Sequence, residues 1–141
     1  MLLNISYNRK AITDQINEEI GKPFPMVKRI KMKGVGSGKL NIQTASIQIY
    51  NLLILDNNLN TCGIEIRPKG VLISFRSILE TYALVIPYYK LKLYKGQASV
   101  YSFYKDNYFI KVEAKEKRNH DFIKKILQFK QEAKGTDQSY Y

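Results

Sequence analysis

The cations between residues 28 and 39 are the first candidates for chemistry. Lys28, Arg29, Lys31, Lys33 and Lys39 sit close together, and the stretch 21–39 holds six cations and no acid. Clustered cations beside a glycine-rich loop can neutralise phosphate, so these five are candidate anion-binding residues, joined by Lys90 and Lys92. The plainer reading of the same residues is a solvated strand whose charges deter edge pairing. Further along, Tyr88, Tyr89, Tyr94, Tyr101, Tyr104 and Tyr108 interleave with Lys90, Lys92, Lys95, Lys105 and Lys111. Rings beside cations can stack single-stranded bases. Tyrosine is also a good strand residue that packs its ring and wets its hydroxyl, which is the plainer account here.

Other chemistries lack their parts. Cys62 is the one thiol and His120 the one imidazole, too few for a zinc site or an intrachain disulfide. Gly34-Val35-Gly36-Ser37-Gly38-Lys39-Leu40 is one residue short of a phosphate-binding loop and ends on leucine, where a hydroxyl would be needed for Mg²⁺. Glu18, Glu19, Glu65, Glu80, Glu113 and Glu116 form no recognisable acid–base pair in sequence. The expectation is a protein without catalytic residues, metal or cofactor.

The elements that must position these residues are short. Ile12, Ile16 and Ile20 recur every four residues and predict a helix over 9–20, stopped by Gly21 and Pro23. Alternation over 26–33 is weakly strand-like, with Ile30 and Met32 inward and the cations outward, and Gly34, Gly36 and Gly38 follow as a loop. From 42 to 114 the period is mostly two. Ile47 and Ile49 open a strand that the run 52–55 extends, and Asp56-Asn57-Asn58 marks a turn. Ile64 and Ile66, then Val71 to Ile73, flank Arg67-Pro68-Lys69-Gly70, where Gly70 is expected to supply a left-handed residue. Residues 76–80 connect to Leu84-Val85-Ile86, which meets Pro87. Tyr89, Leu91 and Leu93 alternate with Lys90 and Lys92. Residues 100–104 and 108–112 form a hairpin about Lys105-Asp106-Asn107. Asn119 is placed to cap a closing helix over 120–134, with Phe122, Ile123, Ile126, Leu127 and Phe129 on one face, Lys130 snorkelling, and Gly135 ending it.

About seven short strands and one apolar-faced helix predict a mainly β protein, a small antiparallel barrel plugged by its last helix. Gly63 to Phe75, with Arg67-Pro68-Lys69-Gly70 at its centre, resembles the central hairpin of small bacterial pleckstrin-homology-like (PH-like) domains. Leu84-Val85-Ile86-Pro87-Tyr88-Tyr89-Lys90-Leu91 resembles their strand with an I-P-x-x-x-I/L pattern, and the likeness covers about 45–134. It implies a barrel with closing helix, placed over 26–134; residues 1–25 read as an N-terminal helical extension and 135–141 as a flexible tail. It also implies a non-catalytic binding or scaffold module. Its partner would be another protein or a further copy of the chain, docked beside the closing helix or on a free sheet edge. The alternative is a basic barrel that binds nucleic acid or an anionic lipid surface.

Composition agrees with a single folded domain. The 141 residues are 45% hydrophobic and 12% aromatic, and 23 basic against 12 acidic side chains give a formal charge of +11. That excludes intrinsic disorder and collagen-like chains. The longest apolar run, Leu52 to Leu55, is far short of the ~20 residues that span a bilayer. The opening Met1-Leu2-Leu3-Asn4 turns polar at once, unlike a secretory leader, so a cytoplasmic location is expected.

Overall fold

A computed structural model describes residues 1–7, 9–55, 60–97 and 99–138, with side chains as far as 133 in the last helix. The chain runs β1 (Leu2–Asn4), α1 (Lys10–Ile20), α2 (Met26–Lys31), β2 (Leu40–Ala45), α3 (Ile47–Leu53), β3 (Thr61–Arg67), β4 (Gly70–Ser77), β5 (Glu80–Pro87), β6 (Lys92–Lys95), β7 (Val100–Lys105), β8 (Tyr108–Glu113) and α4 (Lys117–Gln138). All strands join one antiparallel sheet in the order β1-β5-β4-β3-β2-β8-β7-β6.

That order forces the sheet to curl. β5 and β6 lie six places apart, which on a flat sheet is about 29 Å at the usual strand spacing. Only residues 88–91 join them, and such a link reaches no more than about 18 Å. A register shift between Ile42 and Thr44, where β2 meets β8, supplies local bending. The curled ends approach without a shared ladder: the buried Lys105 at the end of β7 donates from Nζ to the carbonyl of Val85 in β5, at 3.2 Å. The protein is thus mainly β, with a sheet that curls but does not close and a C-terminal helix.

The inner face holds the main core, including Ile64, Ile66, Ile73, Phe103 and Ile110, and α4 buries Phe122, Ile123 and Ile126 against it. α3 adds Ile49 and Leu53 to the same core. A second, smaller cluster lies on the outer face, where Ile16 and Ile20 of α1 cover Leu72, Ala83 and Val85. β4 and β5 are therefore buried on both faces. β1 extends the sheet beyond β5, with Leu3 opposite Ala83. Three residues are too few to show a period, so the sequence gives no sign of it.

Several expectations need correction. Residues 26–33 are not a strand: α2 occupies Met26–Lys31, and Ile30 points outward. The alternation of cations imitates period two, but the local stop signal is helical. Lys33 takes a left-handed φ of 60° and Gly34 one of 97°, and the helix end is closed by two hydrogen bonds, Gly34 N to Arg29 O at 2.8 Å and Lys33 N to Ile30 O at 3.1 Å. Residues 47–55 are not a strand either. Apolar residues at 47, 49, 50 and 52–55 fit both periods. The helical solution of α3 buries Ile49 and Leu53 and exposes Ile47, Tyr50 and Ile54. Ser46 starts that helix with an extended backbone, its carbonyl accepting from Tyr50 N at 2.8 Å and its Oγ from Phe109 N at 3.2 Å. Gly70 is not left-handed; it is needed because neighbouring atoms leave no room for a Cβ. Gly135 does not end α4, which runs to Gln138. Asn119 acts one turn inside the helix, its Oδ1 accepting from Glu116 N at 3.2 Å. The turn expected at 56–58 lies outside the described residues, as do residues 139–141 of the tail.

The glycine-rich segment is fastened rather than loose at its start. Val35 is buried, its carbonyl accepts from Ile66 N at 2.8 Å, and Ser37 N donates to Ile64 O at 2.9 Å. Its carbonyl and N–H groups are used along β3. No described helix is long and apolar enough to cross a membrane.

Candidate functional site

The link that curls the sheet also builds a groove. Residues 88–91 fold back on Pro87, with Lys90 N donating to Pro87 O at 3.0 Å. Tyr88 and Leu91 point inward and are almost fully buried. The Tyr88 hydroxyl donates to Arg67 O at 2.9 Å, and its ring stacks on Phe129 of α4 with centroids 6.3 Å apart. Burial pushes that phenol above its ordinary pKa, so it stays a neutral donor. With these two anchors fixed, Tyr89 and Lys90 must face outward, and Tyr89 is 69% exposed.

β6 forms the opposite wall. Lys92 and Tyr94 share one face of it, while Leu93 packs toward the core. Tyr94 stands opposite Ser102 and meets the diagonal Tyr104 edge-on, with centroids 5.7 Å apart at 71°. Lys130 of α4 closes the end, so its ammonium, expected only to snorkel, faces the groove. Tyr89, Lys90, Leu91, Lys92, Tyr94, Tyr104, Asp106 and Lys130 enclose about 770 Å³. Three ammonium groups thus face one carboxylate, and Lys90 Nζ lies 3.8 Å from Asp106 Oδ2 in an exposed pair. Such a pair adds only about 0–1 kcal/mol, so a competing anion displaces it easily. The equipment is that of binding: ring faces, hydroxyls and cations. Among the described residues no group of three His, Cys, Asp or Glu lies close enough to hold a metal.

The seven cations singled out in the sequence do not form one site. Lys90 and Lys92 line this groove. Lys39 lines a second depression of about 730 Å³ over β3 and β4, beside Thr61, Ser74, Arg76 and Thr81. Lys28, Arg29 and Lys31 lie on α2 and Lys33 just after it. Arg29 is partly used in holding that helix, its Nε donating to Phe24 O at 2.7 Å. Of the interleaved tyrosines and lysines, Tyr101 and Lys105 are buried and face away from the groove. Tyr101 instead shares a 2.8 Å hydrogen bond with His120 Nδ1, which ties the start of α4 to β7. Sequence reasoning missed Lys130 as a lining residue, since nothing local relates it to Lys90 and Lys92.

Another exposed segment carries no charge of its own. From Leu40 to Leu55 no residue is ionisable apart from the weakly acidic Tyr50 phenol. Ile47, Tyr50 and Ile54 make an outward ridge on α3.

Cys62 sits under the second depression but is buried, and burial pushes its thiol up to about 12 from an ordinary 9.0. A raised acid pKa favours the folded state at neutral pH and loses that advantage as the unfolded chain ionises. Stability is expected to fall between pH 9 and pH 12 with a Cys62 contribution of about 1.4 kcal/mol per pH unit. Denaturant titrations across that range should show Cys62→Ala with a shallower slope than the parent; an equal slope would sink this assignment. The native thiol should also resist alkylation at neutral pH.

No family model, curated protein or solved structure matches the chain.

Proposed function

We propose that the protein is a non-catalytic PH-like binding or scaffold module that docks an extended, acidic segment of a partner protein beside β6. Supporting the fold assignment is the strand sequence from β2 to β8. A four-stranded meander, β2 to β5, is followed by a three-stranded one, β6 to β8, with the first and last strands paired and a helix after them. Seven strands followed by one helix is the order the resemblance implies. α3, between the first two of these strands, and the β1–α1 pair are additions to it.

The single observation that carries the docking reading is the combination of edge and charge in one groove. β6 ends the sheet and, among the described residues, pairs only with β7, so its outer hydrogen-bonding groups are available to an added strand. Lys90, Lys92 and Lys130 set the sign of the partner, and the Tyr89, Tyr94 and Tyr104 rings supply apolar contact. Lys92 and Lys95 on this edge would deter like-charged copies from adding by the same route. Self-association would instead draw on the uncharged ridge of α3.

The test is fluorescence anisotropy with a labelled peptide that alternates Glu and Val, titrated with the full chain. Reversing Lys90, Lys92 and Lys130 to Glu is expected to weaken binding at least about tenfold. Reversing the exposed Lys10, Lys117 and Lys124 makes the same change in net charge and should leave binding within about twofold. Equal losses in the two triple variants would mean that net charge alone attracts the peptide, and the groove would carry no function.

A further inference from the structure

We propose that α2 is a wedge that seats the protein on an anionic lipid bilayer. Surface helices normally turn their apolar stripe toward the protein. α2 does the reverse. At about 100° per residue, Met26, Val27 and Ile30 fall on one side, and Arg29 and Met32 on the other. The second side is the one held against the protein, since Arg29 and Met32 are half-buried. Met26, Val27 and Ile30 are left 68%, 65% and 71% exposed.

The outward face is imposed by firm attachments on the inward one. Arg29 Nε donates to Phe24 O at 2.7 Å, Lys125 Nζ of α4 donates to Met32 O at 2.6 Å, and the Phe24 and Phe129 rings meet at 5.8 Å. The helix end is locked by Gly34 N on Arg29 O, and the next residue, Val35, is fixed along β3. Single exposed apolar side chains are ordinary. Three on one rigid turn, facing directly away from the body, are not.

The surroundings of the ridge decide what covers it. Lys22, Lys28, Lys31 and Lys33 are exposed on this short helix or next to it in the chain, and no acid occurs between Glu19 and Asp56. A partner must therefore accept a projecting apolar ridge and offer negative charge beside it. An anionic bilayer does both: its interface takes apolar side chains to shallow depth, and its headgroups attract the flanking lysines. A protein partner would need an apolar cleft rimmed by acids. This surface shares no lining residue with the groove beside β6, so either proposal can fail without the other.

The experiment is co-sedimentation of the full chain with vesicles of phosphatidylcholine alone and of phosphatidylcholine mixed with phosphatidylserine. Binding is expected to the mixed vesicles only. Val27→Ser with Ile30→Ser keeps every charge and should lower the partition coefficient at least about tenfold. Lys28→Glu with Lys31→Glu should do the same, whereas Lys117→Glu with Lys124→Glu should change it no more than about twofold. Because Val27 and Ile30 are solvent-exposed, the serine pair should melt like the parent, which separates lost binding from lost folding. Failure to bind the mixed vesicles overturns the proposal. So does a serine pair that binds like the parent, since the net charge of +11 would then suffice. Light scattering supplies the last outcome: a parent dimer that the serine pair dissolves would assign the ridge to a second copy of the chain instead.

Discussion

Gly70→Ala is expected to lower the melting temperature by about 10 °C. Gly70 begins β4 directly opposite Pro87 of β5. A Cβ built there would overlap Ile86 O and Ile20 Cγ2 and lie 2.8 Å from Pro87 Cα. Two of these three atoms belong to backbone that the sheet holds in register, so no side-chain rotation relieves the overlap. Overpacking of this kind costs typically 1–3 kcal/mol, and backbone on one side with α1 on the other places this site near about 3 kcal/mol. At this chain length each kcal/mol moves the transition by about 3 °C. Gly36→Ala is the matching control. Its Cβ would meet nothing within 4 Å, and Gly36 has no positive φ. It should melt within about 2 °C of the parent. A Gly70→Ala protein that melts like the parent would show that β5 and α1 do not close on Gly70 as described.

Arg67→Ala should rank with it, at about 3 kcal/mol, but with a different local signature. Arg67 leaves β3 on the outer face and is 8% exposed. Its Nη1 donates to Asn17 Oδ1 at 3.1 Å and to Gly21 O at 2.8 Å, and its Nε donates to the Glu65 carboxylate. Lys69 N adds a bond to Ile20 O at 2.8 Å, so two of the carbonyls left open at the end of α1 are satisfied by the β3–β4 hairpin. Removing the guanidinium leaves a carboxylate, an amide oxygen and a carbonyl short of a donor in a half-buried place. Hydrogen exchange should report accelerated exchange over α1 with β7 and β8 still protected, because two of the three lost bonds fasten α1 and none reaches β7 or β8. Arg67→Lys should recover part of the loss, since one ammonium cannot reproduce the planar fork toward three acceptors. Uniform acceleration through all strands would instead make Arg67 part of the main core's cooperativity.

How much of this was legible beforehand depends on the element. The hairpin of β7 and β8 was readable because both signals agree. Val100, Ser102 and Tyr104 alternate with Tyr101 and Phe103, and the Lys105-Asp106-Asn107 turn places Asp106 at a φ of 53°, where aspartate is tolerated. α1 was readable from its isoleucines every four residues. α3 was not, because a dense apolar run satisfies two periods at once. The choice fell to packing, which had room for Ile49 and Leu53 on one side of a helix. α2 misled for the opposite reason. Its charges alternate, yet charge alternation on an exposed segment places no residue inside, and Ile30 ended outside. Gly70 stands out locally as a turn residue, yet the requirement for glycine comes from two elements, α1 and β5, that close on it from elsewhere in the chain.

The residues by themselves determined an excess of cations, a single thiol and a single imidazole, strands joined by tight turns, and a closing helix with one apolar face. Each of these is written in composition or in a period of a few residues, and local sterics and solvation enforce it. Only the tertiary structure decided which cations meet. It set Lys130 beside Lys90 and Lys92, sent Lys39 to another face, and turned the apolar side of α2 to the outside. A period reports which side of an element is apolar, never what stands opposite. Here the opposite partner was fixed by the curl that a four-residue link imposes on an eight-stranded sheet.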